Sequence, residues 1–398
     1  MRQSILAMLA TVACILSMLG PGTTQTLPPA ATSQPLLVPA DSLSQDNHLV
    51  LTVPLEDATQ LSAVSAAIET RYGVRLAAEW PLRSISVYCL VMDTSGTPDI
   101  DALIARMDAD PQIRTVQRLN AFNTLGKTSS VPLIAAQTAL AQINAIAAHR
   151  VSKGDGVTVG IIDSSINRAH PDLANRISDV RDFVFVDTEK HSPGELHGTA
   201  MAGIIAANAD DNLGIAGVAP KAELVDLRAC WQGNSTSGRC NSFSLARAIN
   251  FAILNDIRVI NMSLGGPVDP LLAELVTAAV NRGFLIVAAR GEGSKLAFPA
   301  SLPGVLPAGN SKANDAIPAP SVDILTTARD DGYAYVSGSS VAAAHVTATV
   351  ALILAQAPDL TSSAIETALR ASVSPQGDGK MLDACKALQF ATGTSIDC

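Results

Sequence analysis

Short apolar strands alternate with helical stretches from about residue 136 onward, and this alternation most constrains the fold. The pattern predicts strands at 157–163, 222–229, 258–264, 284–289 and 304–309. It predicts helices at 198–208, 242–254, 269–282, 340–356 and 361–370. Strands that are apolar on both faces, with helices between them, are typical of a doubly wound parallel sheet. The sequence therefore predicts an α/β fold whose functional sites lie at the carboxyl ends of the strands.

Residues 47–125 show a different order of elements. The pattern there predicts strands at 48–55, 74–80, 84–92 and 113–122, and helices at 58–72 and 100–107. A βαββαβ order of this length predicts a small ferredoxin-like α+β domain, with both helices on one face of an antiparallel sheet.

The N-terminal region reads as a targeting segment followed by a linker. Arg2 precedes the apolar run 5–19 and a small, polar exit, so residues 1–24 are predicted to be a secretory signal peptide, with a membrane signal anchor as the alternative. We therefore expect an exported protein, either periplasmic or extracellular. Residues 25–46 are rich in Pro, Thr, Ser and Ala and are predicted to be a linker. Residues 126–137 are predicted to be a polar, strandless hinge where processing occurs.

The net charge excludes some classes of binding partner, and the cysteine spacing indicates the cellular compartment. A net charge of −9 argues against nucleic acid or an anionic membrane as a main partner beyond the signal segment. Outside the signal segment and the small domain, four cysteines are spaced as two local pairs, which suits an oxidising compartment. We expect disulfides Cys230–Cys240 and Cys385–Cys398, with free buried thiols as the alternative. No CxxC motif or Cys/His cluster indicates a metal site.

Three polar residues lie at the strand and helix ends where α/β folds carry their functional sites. Asp163 ends an apolar strand, while His197 and Ser340 each open an Ala-rich helical stretch. Taken singly, they could be a turn cap, a helix-start residue and a helix N-cap. Together they supply what a serine nucleophile needs, namely an imidazole to take its proton and a carboxylate to orient that imidazole. The chain order Asp, His, Ser excludes the lipase-type arrangement and is one of the known protease orders.

The segments around these residues resemble the subtilisin-like serine proteases, or subtilases. The similar segments are GDGVTVGIIDSSINRAHPDL, LHGTAMAGIIAA, GIAGVAPKAELVDLRA, VINMSLGG and GSSVAAAHV. The resemblance implies that residues 138–398 form a catalytic domain with Ser340 as nucleophile, His197 as general base and Asp163 as its orienter. It implies that Ser263, Leu264 and Gly265 bind protein or peptide substrates as an edge strand. It also implies that residues 47–125 are a propeptide that inhibits the enzyme and is removed by self-processing.

One departure from the family pattern bears on activity. Family members usually supply an oxyanion donor from an Asn that follows a Gly, and here the aligned residue is Glu292. Losing one such donor typically slows turnover by about 10²–10³. A catalytically weak or inert peptide-binding or scaffold protein is therefore the alternative to an active endopeptidase. Calcium is a possible ligand by family resemblance, but no loop in the sequence identifies its ligands, and no other cofactor is expected.

Overall fold

The small N-terminal domain is a four-stranded antiparallel sheet covered by two helices. Its elements, in chain order, are β1 (His48–Pro54), α1 (Leu61–Tyr72), β2 (Arg75–Leu82), β3 (Val87–Asp93), α2 (Ile100–Asp108) and β4 (Thr115–Arg118). The strand order β2-β3-β1-β4, with antiparallel neighbours, confirms the predicted ferredoxin-like topology. One sheet face carries Leu49, Leu51 and Leu90, which pack with Ile68 of α1 and Met107 of α2.

This computed structural model describes residues 36–44, 46–54, 61–124, 127–129, 137–184, 194–208, 214–232 and 238–398. The predicted signal peptide and the linker up to residue 35 lie outside the described residues. Within the predicted linker, residues 40–42 form a 3-10 turn whose Ala40 is buried. The N–H of Ala40 donates to the carbonyl of Val184, and the side-chain amide of Asn241 donates to the carbonyl of Ala40. The described part of that segment is therefore folded against the rest of the chain.

The end of the small domain differs from its prediction. The sequence predicted one strand at 113–122 followed by a strandless hinge, and both expectations are wrong. After β4, the chain forms β5 (Ala121–Thr124) and β6 (Lys127–Ser129), which lie in two other sheets. Asn120 marks the change of sheet, because its backbone N–H donates to Ser242 and its side-chain amide donates to Asp269. These bonds draw the chain away from the small sheet.

The larger part of the chain is built on a seven-stranded parallel sheet. Its strands are β7 (Thr158–Asp163), β8 (Ile177–Asp182), β9 (Glu223–Arg228), β12 (Val259–Met262), β14 (Leu285–Ala289), β15 (Leu306–Gly309) and β16 (Ile317–Pro318). The order across the sheet is β16-β15-β14-β12-β7-β9-β8, and every neighbouring pair is parallel. The prediction of a doubly wound parallel sheet is confirmed.

Short strands complete the fold around this sheet. They are β10 (Cys230–Trp231), β11 (Arg239–Asn241), β13 (Leu264–Gly265), β17 (Ile324–Thr327), β18 (Tyr333–Ser337), β19 (Ser374–Gln376) and β20 (Gly379–Met381). Strands β10, β11, β5 and β13 form one sheet in that order, and β17, β18 and β6 form another. The predicted disulfides Cys230–Cys240 and Cys385–Cys398 are both present.

Helices cover both faces of the parallel sheet. They are α3 (Ala139–Gln142), α4 (Ala145–Ala148), α5 (Leu196–Ala206), α6 (Ser242–Leu254), α7 (Pro270–Asn281), α8 (Ser339–Gln356), α9 (Ser362–Ala371) and α10 (Ala384–Thr392). Residues of α5, α8 and α10 share one apolar core, whereas those of α6 and α7 share the other. Among the described residues, α8 is long and apolar enough to cross a membrane, but 83% of it is buried, so it is a core helix.

The small domain packs on the second of these cores. Val50, Val87 and Val91, on the sheet face away from its own helices, belong to the same apolar cluster as Phe243 of α6 and Leu271 of α7. The guanidinium of Arg247 on α6 also lies 4.6 Å from the ring centre of Trp80 on β2. The small sheet is thus held between its own helices and those of the larger domain.

Candidate active site

Asp163 and His197 form a buried pair at the carboxyl end of the parallel sheet. Asp163 is the last residue of β7, and His197 lies in the first turn of α5. Nδ1 of His197 is 2.8 and 2.9 Å from the two carboxylate oxygens of Asp163. Because a carboxylate only accepts hydrogen bonds, Nδ1 carries a proton, and Nε2 is the ring nitrogen that can exchange a proton with another group. Nε2 is buried and has no hydrogen-bond partner among the described residues.

Close packing fixes how α5 approaches Asp163. The N–H of Gly198 donates to the hydroxyl of Ser164, the residue that follows Asp163, at 3.1 Å. A Cβ atom on Gly198 would lie 2.0 Å from the carbonyl oxygen of Ser164. Only glycine fits there, so the GlyThr sequence after His197 lets the helix reach the backbone beside the carboxylate.

Ser340 lies in the first turn of α8 and is fully buried. Its hydroxyl donates to the carbonyl of Ser263 at 2.9 Å, and the hydroxyl of Ser263 donates back to the carbonyl of Ser340 at 3.0 Å. The two serines therefore hold the start of α8 against the end of β12. In this arrangement the Ser340 proton is engaged by a backbone carbonyl and not by the imidazole.

The predicted substrate-binding strand is paired with a segment of the chain itself. Leu264 and Gly265 form β13, which is antiparallel to β5, with Leu264 opposite Thr124 and Gly265 opposite Asn123. Strand β5 lies between β13 and β11, so the protein's own backbone fills the space between two strands.

Phe122 anchors this segment through its side chain. The ring is fully buried, and its centre lies 6.0 Å from that of Phe298. A Cβ atom on Gly266 would come within 2.2 Å of the ring. Glycine at position 266 therefore provides the floor of the Phe122 pocket.

Glu292 is exposed and lies beside the start of α8. The preceding residue, Gly291, has φ +84° and donates its N–H to the Ser339 hydroxyl at 3.3 Å. Arg290 does not pair with Glu292. Its guanidinium donates to both carboxylate oxygens of Asp315, and this contact lowers the pKa of Asp315.

Two other buried histidines bond to backbone groups. Nδ1 of His345 bonds to the carbonyl of Val341, and burial lowers the pKa of this imidazole to about 4. Nε2 of His170 lies 2.8 Å from the carbonyl of Gly332, and its Nδ1 accepts the N–H of Asp172. Among the residues with assigned positions, no group of three or more His, Cys, Asp or Glu side chains could hold a metal ion.

The sequence patterns did not identify a set of charged residues that lies behind this pair. They are Asp182, Glu195, Asp226 and Arg228. Burial raises the pKa of Asp226 to about 8. The signal that could have revealed them is the pair of charged residues inside the apolar strand LVDLRA, because buried charges in a strand require partners.

Comparison with known proteins shows that the chain is similar to members of one protein family. Residues 154–385 match the sequence model of the subtilase family. The chain is 38% identical over 224 residues to the major intracellular serine protease of Bacillus subtilis (strain 168), covering 50% of this chain and 69% of that protein. It is 33% identical over 258 residues to subtilisin of Bacillus pumilus, covering 60% and 91%.

Two longer relatives extend beyond the matched region. Subtilisin E of Bacillus subtilis (strain 168) is 34% identical over 259 residues, which cover 60% of this chain and 66% of that protein. The fold is similar to that of fervidolysin from Fervidobacterium pennivorans, described as a keratinolytic enzyme related to subtilisin. The TM-score is 0.68 at 21% identity, and the match covers 86% of this chain and 61% of fervidolysin.

Proposed function

This chain belongs to the subtilase family and is by that membership a serine endopeptidase, and we propose that Ser340, His197 and Asp163 carry its reaction. The observation that carries the proposal is the buried Asp163–His197 pair. It engages Nδ1 of His197 and leaves Nε2 without a partner among the described residues, at the end of the sheet where α8 presents Ser340. In the neutral imidazole, Nε2 is then the nitrogen that can accept a proton.

The reaction would then proceed in two halves. The Ser340 hydroxyl turns from the Ser263 carbonyl to Nε2, gives up its proton and attacks the carbonyl carbon of the peptide bond. Protonated Nε2 next donates that proton to the leaving amine, and an ester to Ser340 remains. Water, deprotonated by the same nitrogen, hydrolyses the ester and restores the serine. Asp163 stabilises the imidazolium in both halves without taking its proton.

Stabilisation of the oxyanion is the weak part of this site. The backbone N–H of Ser340 lies in the first turn of an 18-residue helix, where the helix dipole favours negative charge. We propose that Glu292 stands at the place of the second donor. An ionised carboxylate there cannot donate and would repel the developing charge.

We further propose that the chain is made as a self-inhibited precursor. Two observations support it: β5 pairs with β13 beside Ser263, and β6 pairs with β18, placing Lys127 opposite Ser337 just before Ser340. A peptide held this way would occupy both sides of the nucleophile, with backbone bonds providing its affinity. The small domain would then act as the inhibitor that delivers this segment.

The strand register suggests where the precursor is cut. Strand β5 ends at Thr124 on one side of Ser340, and β6 begins at Lys127 on the other. Thr124 pairs with Leu264, the residue after Ser263, whose carbonyl bonds the Ser340 hydroxyl. We propose Leu125–Gly126 as the cleaved bond, although both residues lie outside the described part of the chain.

The test compares the full chain with Ser340→Ala, using Ser362→Ala as a control far from the site. We expect the parent and the control to shorten to a product that begins at Gly126 and to react with a fluorophosphonate. Ser340→Ala should do neither. Intact-mass analysis and N-terminal sequencing give the cut. Shortening of purified Ser340→Ala, or a parent product that begins after Lys127, would contradict the proposal.

Export is proposed from the N-terminal sequence and from the two disulfides, which form where the environment is oxidising. Expression of the Ser340→Ala chain, which cannot process itself, with the native leader should give a periplasmic or extracellular product that lacks about the first 24 residues and keeps the free thiol of Cys89. Retention of the leader would favour the signal-anchor alternative.

A second function deserves a test because of Glu292. A protein with this cleft and no effective oxyanion donor would bind peptides between β11 and β13, in place of β5, without cleaving them. If a Ser340→Ala chain and the parent bind peptide equally and neither cleaves it, the binding function is the better description.

A further inference from the structure

A buried ion-pair cluster lies directly behind the Asp163–His197 pair. Arg228 is the last residue of β9, and its register partners are Asp163 on β7 and Asp182 on β8. Side chains of register partners leave a sheet on the same face. Arg228 donates to Asp182 at 2.9 Å and to Glu195 at 3.3 Å, and only 4% of its side chain is exposed.

Glu195 connects this cluster to two loops, one after β7 and one after β10. One of its carboxylate oxygens accepts the N–H of Ser165, two residues after Asp163, and the other accepts the N–H of Gln232, each at 2.9 Å. The N–H of Glu195 donates in return to the carbonyl of Ser165 at 2.8 Å. The side-chain carbonyl of Gln232 accepts the N–H of His197 at 3.2 Å.

The side chain of Glu195 does not cap its own helix. Glu195 is the N-cap residue of α5, but its side chain accepts no hydrogen bond from that helix. The carboxylate is used across the loops instead, and Gln232 satisfies one of the open N–H groups of the first turn. A half-buried carboxylate with two N–H donors and an arginine is a rigid attachment point.

We propose that Glu195, held by Arg228, is a positioning residue that fixes the start of α5 to the turn after Asp163, so that the Asp163–His197 hydrogen bond keeps its geometry. The inference rests on the proposed roles of Asp163 and His197. Displacement of a catalytic group by about 1 Å can cost about 10²-fold in rate. The cluster can therefore change the reaction rate through the position of His197, without contacting substrate.

The experiment uses the full chain with Glu195→Gln, Arg228→Lys and Gln232→Leu. Glu195→Gln keeps the size of the side chain but loses the charge and one of the two acceptor oxygens. The control is Arg258→Met, which removes an arginine that bonds three backbone carbonyls near the opposite end of the sheet. Three properties are measured: the melting temperature, the rate of fluorophosphonate labelling of Ser340, and the low-field proton resonance of His197 Nδ1–H.

We expect Glu195→Gln to lower the labelling rate by roughly 10- to 100-fold and to broaden or shift the low-field resonance. Gln232→Leu should do the same to a smaller extent, and Arg228→Lys should retain most of the labelling rate because it keeps the charge. Arg258→Met should lower the melting temperature and leave both site measurements unchanged.

The proposal is overturned if Glu195→Gln and Gln232→Leu label at the parental rate with an unchanged resonance. It is also overturned if Arg258→Met shows the same losses at equal stability. Should Glu195→Gln not fold, Gln232→Leu decides alone. If the parent does not label at all, the proposed function fails, but the low-field resonance still tests the positioning role.

Discussion

Replacing Glu292 with asparagine should convert a poor oxyanion site into an effective one. Glu292 is exposed, has no pairing with Arg290, and follows Gly291, whose N–H bonds the Ser339 hydroxyl next to Ser340. The side chain at position 292 therefore projects from a backbone fixed beside the nucleophile. An asparagine amide at that position could donate a hydrogen bond where the carboxylate offers only negative charge.

The expected gain has two parts. A missing oxyanion donor costs about 2.7–4 kcal/mol in transition-state stabilisation, or about 10²–10³ in turnover. A carboxylate about 5 Å from the oxyanion in a solvated site, at an effective dielectric constant of about 40–80, adds roughly 1–2 kcal/mol of repulsion. Glu292→Asn should therefore raise kcat by about 10³ or more. Glu292→Gln removes the charge on a longer side chain and should recover roughly 5- to 30-fold.

The assay measures kcat and KM on a peptide substrate at low and high salt, together with fluorophosphonate labelling. Salt screens the carboxylate, so the parent should turn over faster as ionic strength rises, whereas Glu292→Asn should not respond. Unchanged or lower kcat in Glu292→Asn would refute the placement of position 292 at the oxyanion. Labelling that appears only in Glu292→Asn would identify the natural protein as catalytically inert.

Three further predictions concern stability and the cleft. Burial raises the pKa of Asp226 to about 8, above its unfolded value, so its contribution to stability is present below about pH 4 and is lost as the pH rises toward 8. Asp226→Asn should therefore raise the melting temperature at pH 8 but not at pH 4, and an equal shift at both values would contradict this. Phe122→Ala empties the pocket formed by Phe298 and Gly266, so it should weaken the docking of β5 by about 3–5 kcal/mol. Fluorophosphonate should then reach Ser340 faster in the unprocessed chain. The control is Phe390→Ala, which removes an exposed ring. The Cys230→Ala/Cys240→Ala double variant should lose about 2–3 kcal/mol of stability. It should also raise KM more than it lowers kcat, because the disulfide joins β10 to β11 beside the cleft. A lower kcat at constant KM would contradict this role of the disulfide in shaping the cleft.

Strongly apolar elements could be predicted from the sequence. The strands at β7, β9, β12, β14 and β15 and the helices α5 to α9 begin and end within a few residues of their predicted bounds. Strand β8 was missed because ISDVRD lies at the edge of the sheet and has no apolar run and no fully buried residue. Hydrophobic periodicity indicates buried strands well and half-exposed edge strands poorly.

The segment that follows the small domain contains strands that the local sequence pattern did not predict. Residues 126–137 were predicted to contain no strand, yet Lys127–Ser129 form β6, and Ala121–Thr124 form a separate strand, β5, where one strand was predicted at 113–122. Their strand structure comes from pairing with β13 and β18, which lie far away in sequence. Strand propensity depends on cross-strand partners, so no local pattern could have predicted this pairing.

The sequence by itself determined the class of fold, the two disulfides and the residues expected to do the chemistry, because apolar periodicity and short motifs are local properties. Tertiary structure decided how those residues are arranged. It placed the Asp163 carboxylate on Nδ1 of His197, turned the Ser340 hydroxyl to Ser263, and set Glu195 and Arg228 behind the pair. These contacts join residues 33 to 77 positions apart, and only the packing of the helices on the sheet brings them together.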